Sequence, residues 1–387
     1  MREDGRKMRR LALAAVFAAA GSIATAYAET SPACGTPTAL NDGWTIASPE
    51  STGLDSTRLC AIAARMKETD ANIHAVVIVR HGRLVFEQYF SGPDERWLVA
   101  GLYDHDATTK HDMRSASKSV ISLLVGIAID RKLIASVEEP VVKFFPEYSA
   151  VKSAGWDQIT IRHLLTMSSG IQWDENRGWN DPKNDEPHLS SEADPIRYIL
   201  SKPTAAPPDT VWTYNGGGTD LLGHILERVS GKPLEAFARE ALFEPLGISD
   251  WEWMKYGNGK VASAIGLRAR PRDAAKIGQM VLNRGAWDGK QIVSLEWIEQ
   301  SVRPRYQAIG YFSGIMFYGQ QWWLGRSFAR EQEVKWIAAQ GSGGQRLFIV
   351  PDRDLVVMTT SGRYFQPRQG DGALDMMTNY ILPSVRD

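Results

Sequence analysis

The sequence predicts a mixed α/β (α+β) fold. One lobe is a mostly antiparallel sheet built from both chain ends and covered by terminal helices; the other is all-helical and made from the middle. Three observations carry this. β-rich runs occur early, at 76–79 and 84–86, and late, at 347–350 and 355–358. Between them, segments of helical spacing follow one another, punctuated by Gly and Pro. One of those segments is apolar on nearly every side, the mark of a helix buried in the middle of a protein. The sheet lobe is expected from about 45–112 and 320–387, and the helical lobe from about 113–319, within a single domain over 29–387.

In chain order, 73–90 reads as a hairpin whose strands are joined by His81-Gly82. Residues 94–111 are polar and read as irregular. From 115 to 132 the chain is Ser-rich for one turn, then carries Val120, Ile121, Leu123, Leu124, Val125, Ile127, Ala128 and Ile129, which predicts the buried helix. Pro140 and Pro146 bound a break. Helices are predicted over 160–167, 194–200, 220–229, 234–243, 271–283 and 295–302, with Gly231-Lys232-Pro233 and Pro245-Leu246-Gly247 at joints. The late β-rich runs flank Pro351-Asp352-Arg353-Asp354, a turn-rich hairpin loop, and 374–382 closes the chain as a helix. The cleft between two such lobes is the natural place for a site.

Composition is ordinary for a globular protein: 387 residues, 43% hydrophobic, net charge -1. That balance supplies no general attraction to nucleic acid or to an anionic membrane. No internal repeat or low-complexity tract is visible. The first segment stands apart. Arg2, Arg6, Lys7, Arg9 and Arg10 precede an apolar stretch over 11–20, and Ala26-Tyr27-Ala28 offers small residues to a signal peptidase. Residues 1–28 therefore read as a signal peptide cleaved after Ala28, with export to the periplasm or beyond. As a spanning helix, 11–28 is short, Ala-rich and interrupted by Ser22 and Thr25, so no stable membrane insertion is expected after cleavage. Cys34 and Cys60 are the only cysteines. In an oxidising compartment they permit one disulfide or two unpaired thiols.

The chemistry lies in three elements. The first is Ser115-Ala116-Ser117-Lys118. Residues three apart share one helix face, so the lysine amine comes within reach of the serine hydroxyl. A hydroxyl needs a base beside it, and a lysine can serve once desolvation lowers its pKa. Ser115 also opens the helix, where N–H groups favour a developing oxyanion. Ser149-Ala150-Val151-Lys152 repeats the spacing, but in a loop beside Gly155, and reads as chance. The second element is Tyr214 before Asn215-Gly216-Gly217-Gly218, where backbone can approach closely and a phenol can relay a proton. The third is Ala339-Gln340-Gly341-Ser342-Gly343-Gly344-Gln345, a glycine-rich strand edge able to offer a backbone N–H to an oxyanion. Each also has a structural reading: a helix-start serine, a packing tyrosine, a glycine bulge.

In this order and setting, the three elements resemble the serine β-lactamase and penicillin-binding family. The nearest branch is class C, with its esterases and 6-aminohexanoate-dimer hydrolases. Met113-Arg114-Ser115-Ala116-Ser117-Lys118-Ser119, Ile161-Arg162-His163-Leu164-Leu165-Thr166-Met167-Ser168-Ser169-Gly170 and Gly343-Gly344-Gln345 read like that group, and the resemblance runs over about 45–385. It implies a β-lactamase/transpeptidase-like fold with the active site between the lobes. Ser115 would be the nucleophile, Lys118 its base, and Tyr214 the proton relay and general acid. Ala339-Gln340-Gly341 falls where relatives carry Lys-Thr-Gly, so the N–H groups of Ser115 and Ser342 would form the oxyanion hole. The resemblance also puts Trp173, Asn215, Gln340 and Gly341 at the substrate. Two departures bear on substrate choice: Ala339 replaces the lysine, and Gly216 takes the third place of Tyr-x-Asn.

The implied activity is hydrolysis of a small-molecule amide or ester through an acyl-enzyme on Ser115, with no metal and no organic cofactor. A β-lactamase or D-Ala-D-Ala carboxypeptidase is the alternative within the fold. A non-catalytic binder of peptidoglycan or another ligand is the alternative of another class, and the intact Ser115, Lys118 and Tyr214 argue against it. Asp174 and Glu175 read as part of an aromatic-stapled loop. The histidines, His74, His111, His163 and His224 among them, show no H-E-x-x-H or comparable metal spacing and read as structural. No G-x-S-x-G, P-loop or strand-linked G-x-G-x-x-G is present.

Overall fold

In the computed structural model, which describes residues 34–308, 316–366 and 368–386, the early and late β-rich runs meet in one sheet. The expected signal peptide over 1–28 lies outside the described residues. Strand β1 (Ile73–Arg80) turns through His81 and Gly82, both at positive φ, into β2 (Arg83–Tyr89). Paired positive φ values give the turn that follows the strands' own twist. Strands β3 (Gly92–Arg96) and β4 (Val99–Tyr103) form a separate hairpin. Strand β5 (His111–Asp112) joins β6 (Trp251–Trp253) and β7 (Leu267–Ala269) in a second small sheet, and β8 (Ala286–Trp287) pairs β9 (Lys290–Gln291). The rest of the main sheet is β10 (Tyr306–Gln307), β11 (Phe317–Tyr318), β12 (Trp323–Ala329), β13 (Gln332–Gly341), β14 (Gln345–Val350) and β15 (Leu355–Ser361). Its eight strands run β10-β11-β12-β13-β14-β15-β1-β2, each antiparallel to its neighbours. The two chain ends close on each other where β1 meets β15, with Val77 opposite Met358.

The helices are α1 (Ser56–Thr69), α2 (Ser117–Asp130), α3 (Ile161–Leu165), α4 (Asp185–Ser191), α5 (Pro195–Leu200), α6 (Gly216–Ser230), α7 (Leu234–Ala238), α8 (Pro271–Leu282), α9 (Leu295–Ser301), α10 (Asp371–Met376) and α11 (Leu382–Ser384). Both faces of the sheet are apolar, so both are covered. Along β1, Val77 and Val79 enter one core and Val76 and Ile78 the other, the period-two alternation of a strand. The first core contains α2, α6 and α8. The second lies under Leu59, Ile62 and Met66 of α1 and under Met376, Met377 and Ile381 near the C-terminus. Each such side chain contributes roughly 1.5–3 kcal/mol on burial, so these two layers hold the sheet. Helix α2 is buried from Ser117 through Ala128, as its all-round apolar pattern predicts. Gly126 lets Trp297 of α9 press against it; a Cβ there would lie 2.3 Å from the indole. No helix among the described residues is long and apolar enough to cross a membrane.

The structure corrects the expected lobe boundaries. Helix α8, expected in the helical lobe, packs on β1, β14 and β15 and covers the sheet. Strands β10 and β11 add to the sheet from before residue 320. The stretch 94–111, read as irregular, contains most of the β3–β4 hairpin. Cys34 and Cys60 form a disulfide, with Cα atoms 5.8 Å apart.

Candidate active site

Ser115 sits in a 3-10 turn, Arg114–Ala116, that leads into α2. The residue before it, Arg114, has φ 49, a left-handed conformation that costs a side-chain-bearing residue roughly 1–3 kcal/mol. The surroundings hold it there. Met113 N–H donates to the Leu267 carbonyl at 2.8 Å. Ser117 Oγ donates to the Arg114 carbonyl at 2.6 Å and accepts from Leu267 N–H at 3.1 Å. The Arg114 guanidinium lies over the Tyr364 ring, 4.5 Å from its centroid, and 3.6 Å from the Asp112 carboxylate. One turn on, Lys118 Nζ is 3.0 Å from Ser115 Oγ and also reaches the Ala264 carbonyl at 3.4 Å.

The Tyr214 phenol is hydrogen-bonded to Ser115, and its ring centroid is 4.9 Å from Lys118 Nζ. The rings of Trp212, Tyr318 and Trp323, 5.7 to 6.2 Å away, fix its orientation. The glycines that follow admit a neighbouring loop. Gly216 N–H and Trp173 Nε1 both donate to Glu175 Oε2, each at 2.7 Å. A Cβ on Gly217 would lie 2.5 Å from the Trp173 indole. From α6, Asp220 accepts from Ala264 N–H at 3.1 Å and from the Tyr256 hydroxyl at 2.8 Å, which steadies the carbonyl that holds Lys118.

The electrostatics differ from the sequence expectation for Lys118. Burial does push its ammonium down, but Tyr214, Glu175, Glu186 and Asp220 surround it and hold its pKa above the ordinary lysine value. Burial raises the Tyr214 phenol above its ordinary value despite the nearby ammonium. It also raises Glu175 to about 7 and Asp220 to about 6, and pushes Glu186 up. The resting site therefore holds a lysine ammonium and a neutral phenol among carboxyls that burial has raised.

These groups face a cavity of about 320 Å³ lined by Ser115, Tyr214, Gln340, Gly341, Ser342 and Arg346, with Glu175 and Glu186 on its wall. Gly341 brings the end of β13 against the turn that carries Ser115: a Cβ there would lie 2.2 Å from the Met113 carbonyl. Next to it, Gly343 N–H and Ser342 Oγ both donate to Gln369 Oε1, at 2.5 and 3.1 Å. Trp179 and Phe365, ring centroids 5.9 Å apart, also face the cavity. A larger groove, about 540 Å³, lies beside Phe317, Leu324 and Trp336, and neither Ser115 nor Lys118 lines it.

Ser115, Lys118, Tyr214, Gln340, Gly341 and Ser342 thus come together. Two expected substrate contacts do not. Trp173 is buried behind the wall, where it braces Glu175. Asn215 is the N-cap of α6, its Oδ1 accepting from Gly218 N–H at 2.8 Å. Sequence reasoning gave no role to Glu186 or Arg346, and read Glu175 only as part of an aromatic-stapled loop. Glu175 is half-buried with its carboxylate turned inward, and its place beside Trp173 was the available signal. Arg346 donates to the Gly341 and Gln345 carbonyls at 2.9 and 2.8 Å, and burial lowers it to about 10.

The histidines were read as unrelated structural residues. Three of them converge outside this cavity, where His74, His105 and His111 meet Asp94, with one ligand atom of each lying within 4.8 Å of the others. Local spacing could not reveal this, because the four come from three strands and a loop.

Comparison with known proteins fits the geometry. The chain is 24% identical over 340 residues to a 6-aminohexanoate-dimer hydrolase of Paenarthrobacter ureafaciens, spanning 79% of this chain and 76% of that one. It is 27% identical over 189 residues, 45% of each chain, to an esterase of Burkholderia gladioli. Its fold matches a family VIII carboxylesterase with TM-score 0.64 at 17% identity, covering 86% of this chain and 97% of that one. It also matches a class C β-lactamase of Rhodobacter sphaeroides with TM-score 0.60 at 15% identity, covering 84% and 99%. The family model described as Beta-lactamase matches residues 61–376, and with the serine–lysine turn and the sheet between its helical layers this makes the chain a member of the Beta-lactamase family.

Proposed function

We propose that Ser115 is the nucleophile of a serine hydrolase acting on small amides or esters. The observation that carries this is the 3.0 Å contact of Lys118 Nζ with Ser115 Oγ, with the Tyr214 phenol on the same hydroxyl, at the floor of an open cavity. Ser115 Oγ attacks the substrate carbonyl carbon as its proton passes to neutral Lys118. The oxyanion of the tetrahedral intermediate accepts from the N–H groups of Ser115 and Ser342. Tyr214 gives its proton to the leaving nitrogen or oxygen and regains one from the Lys118 ammonium, and the carbon–heteroatom bond breaks. Water then attacks the acyl ester by the reverse proton path and restores the Ser115 hydroxyl.

Substrate choice follows from the walls. Ala339, buried in the core, puts no cation where relatives carry the lysine of Lys-Thr-Gly, which favours small amides and esters over penicillins. Glu175 and Glu186 suit a cationic end of the substrate, and Arg346 an anionic one. Residues 1–28 act as a signal peptide that takes the chain to the periplasm or beyond. The Cys34–Cys60 disulfide supports an oxidising compartment, and intact mass of the exported chain tests the cut after Ala28.

Incubation with a fluorophosphonate probe followed by intact-protein mass spectrometry tests the reading. A single adduct is expected on wild type and none on Ser115→Ala. An adduct retained by Ser115→Ala, or none on folded wild type, overturns it.

A further inference from the structure

The cluster of His74, Asp94, His105 and His111 lies outside the hydrolytic cavity and takes no part in the chemistry above. It draws on β1, β3, the loop after β4, and β5. The side chains are sealed from solvent: His74 is 0% exposed, His111 1% and Asp94 4%, and the His105 side chain is 3% exposed. His74 Nδ1 is 2.9 Å from His111 Nε2. Asp94 Oδ1 is 3.4 Å from His111 Nε2 and 3.8 Å from His74 Nδ1, and Asp94 Oδ2 is 3.7 Å from His105 Nε2. Four ligand atoms around a tetrahedral zinc ion at about 2.0–2.1 Å stand roughly 3.3–3.5 Å apart. The contacts at 2.9 to 3.8 Å bracket that span, and no ligand atom lies more than 4.8 Å from another, so side-chain adjustment alone closes the cage.

The outward nitrogens make the case sharper. His111 Nδ1 faces the backbone carbonyl of Asp112 at 3.1 Å, and His74 Nε2 faces Asn72 Oδ1 at 3.2 Å. Both partners accept, so the tautomer that satisfies them puts the ring proton on each outward nitrogen. In that tautomer the two inward nitrogens are lone pairs 2.9 Å apart and pointed at a carboxylate. Three acceptors converging in a sealed space repel one another unless a cation sits among them. Outward N–H bonds to carbonyl oxygens are also how metal-bound histidines are oriented. Asp94 is steadied in the same way, accepting from the Tyr364 hydroxyl at 3.1 Å. A second, independent mark is His105 Nε2, which is buried and has no hydrogen-bond partner among the described residues.

We propose that His74, Asp94, His105 and His111 bind one divalent transition-metal ion, zinc by ligand type, in a closed structural site. Three imidazoles and one carboxylate complete a tetrahedral shell and leave no position for a substrate or an activated water. The ion ties the β3–β4 hairpin and the following loop to β1 and β5. His111 is followed by Asp112, which pairs Arg114 of the nucleophile turn, so the site braces the approach to Ser115.

The test uses the full chain purified without a polyhistidine tag. Elemental analysis after zinc incubation and gel filtration is expected to find about one zinc per chain. Stripping with a chelator is expected to lower the melting temperature, and added zinc to restore it. Cobalt(II) in the stripped protein is expected to show the visible bands of a tetrahedral site, and His105→Ala to lose both the bands and the retained zinc. Should His105→Ala fail to fold, Asp94→Asn serves, and the wild-type zinc and cobalt measurements stand without either variant. Wild type that retains no zinc and melts alike with and without it overturns the proposal, as does a folded His105→Ala that keeps its metal.

Discussion

At the scale of single residues, Lys118 is surrounded by more acid than its burial can offset. On the proposed mechanism Lys118 must be neutral to accept the Ser115 proton, so activity should rise with pH as the ammonium deprotonates. Glu175 is one cause of the raised value. A Cβ on Gly216 would lie 3.0 Å from Glu175 Oε2 and 3.7 Å from Lys118 Nζ, so the two charges sit close together. A carboxylate favours the ammonium, and removing it lowers the lysine pKa. Glu175→Gln should therefore move the acid limb of the kcat/KM profile to lower pH by roughly one to two units, taking an effective dielectric near 20. An unmoved limb would separate Glu175 from the base. Stability supplies a second readout. A carboxyl raised from 4.5 to about 7 is destabilising once ionised, and that cost enters as pH rises through this window. Glu175→Gln should gain melting temperature over wild type at pH 8 and little at pH 5. Tyr214 tests the leaving-group step. Tyr214→Phe should slow amide cleavage by about 10²–10⁴-fold and cleavage of activated esters much less, because a good leaving group needs little protonation. Equal losses on both would remove the general-acid role.

At the scale of elements, the cap of α6 decides how the tyrosine and the glycines are presented. Asn215→Ala should cost about 1 kcal/mol through the lost cap, with KM nearly unchanged, whereas Asn215→Ser keeps a capping oxygen and recovers most of the stability. A raised KM with unaltered melting would return Asn215 to the substrate. The same scale explains what could be read from the sequence. Helix α2 and the β1–β2 and β14–β15 hairpins were legible, because an all-round apolar run and a Gly- or Pro-marked turn are strong signals. Four hairpins turn through two residues at positive φ: His81-Gly82, Trp97-Leu98, Asp288-Gly289 and Arg330-Glu331. Only the first was read. Asp288-Gly289 carries a glycine, but β8 and β9 are two residues each, too short to show a β-rich run. Trp97-Leu98 and Arg330-Glu331 hold that backbone without a glycine to mark it, so β3–β4 and the long β12–β13 pair were hidden. Helix α4 escaped for a related reason: Pro187 falls within it, and its start is set by Asn184, whose side chain accepts from Glu186 N–H. In the candidate site, Ser115, Lys118 and Tyr214 were legible as local motifs. Glu175 and the His74 cluster were not, because their partners come from distant parts of the chain.

At the scale of the whole molecule, the sheet has an edge to protect at β2, and the segment just past Cys34 covers it. Glu87 N–H donates to the Gly35 carbonyl at 2.9 Å, Leu84 N–H to Thr45 at 2.9 Å, and Ala47 N–H to Leu84 at 3.1 Å. An exposed edge invites pairing with another chain, and this strap fills it. The strap is fastened twice. At one end the Cys34–Cys60 disulfide, with a sequence separation of 26, ties it to α1. At the other, Arg272 of α8, 0% exposed, pairs Asp42 of the strap at 2.8 Å and Glu87 of β2 at 3.3 Å. Trp44 Nε1 also donates to the Arg272 carbonyl at 3.2 Å. Losing the disulfide frees a loop whose closure is worth about 3–4 kcal/mol, so Cys60→Ser should melt well below wild type. Arg272→Ala acts differently, because it leaves Asp42 and Glu87 buried without their cation. It should cost about 3–5 kcal/mol in urea unfolding, while Arg272→Met combined with Asp42→Asn and Glu87→Gln should recover most of it, since no orphaned charge remains. Ser115 and Lys118 lie outside this network, so the folded fraction of each variant should keep the wild-type KM. If Arg272→Ala costs under about 1 kcal/mol, the pair is a surface-like contact and the disulfide alone secures the strap.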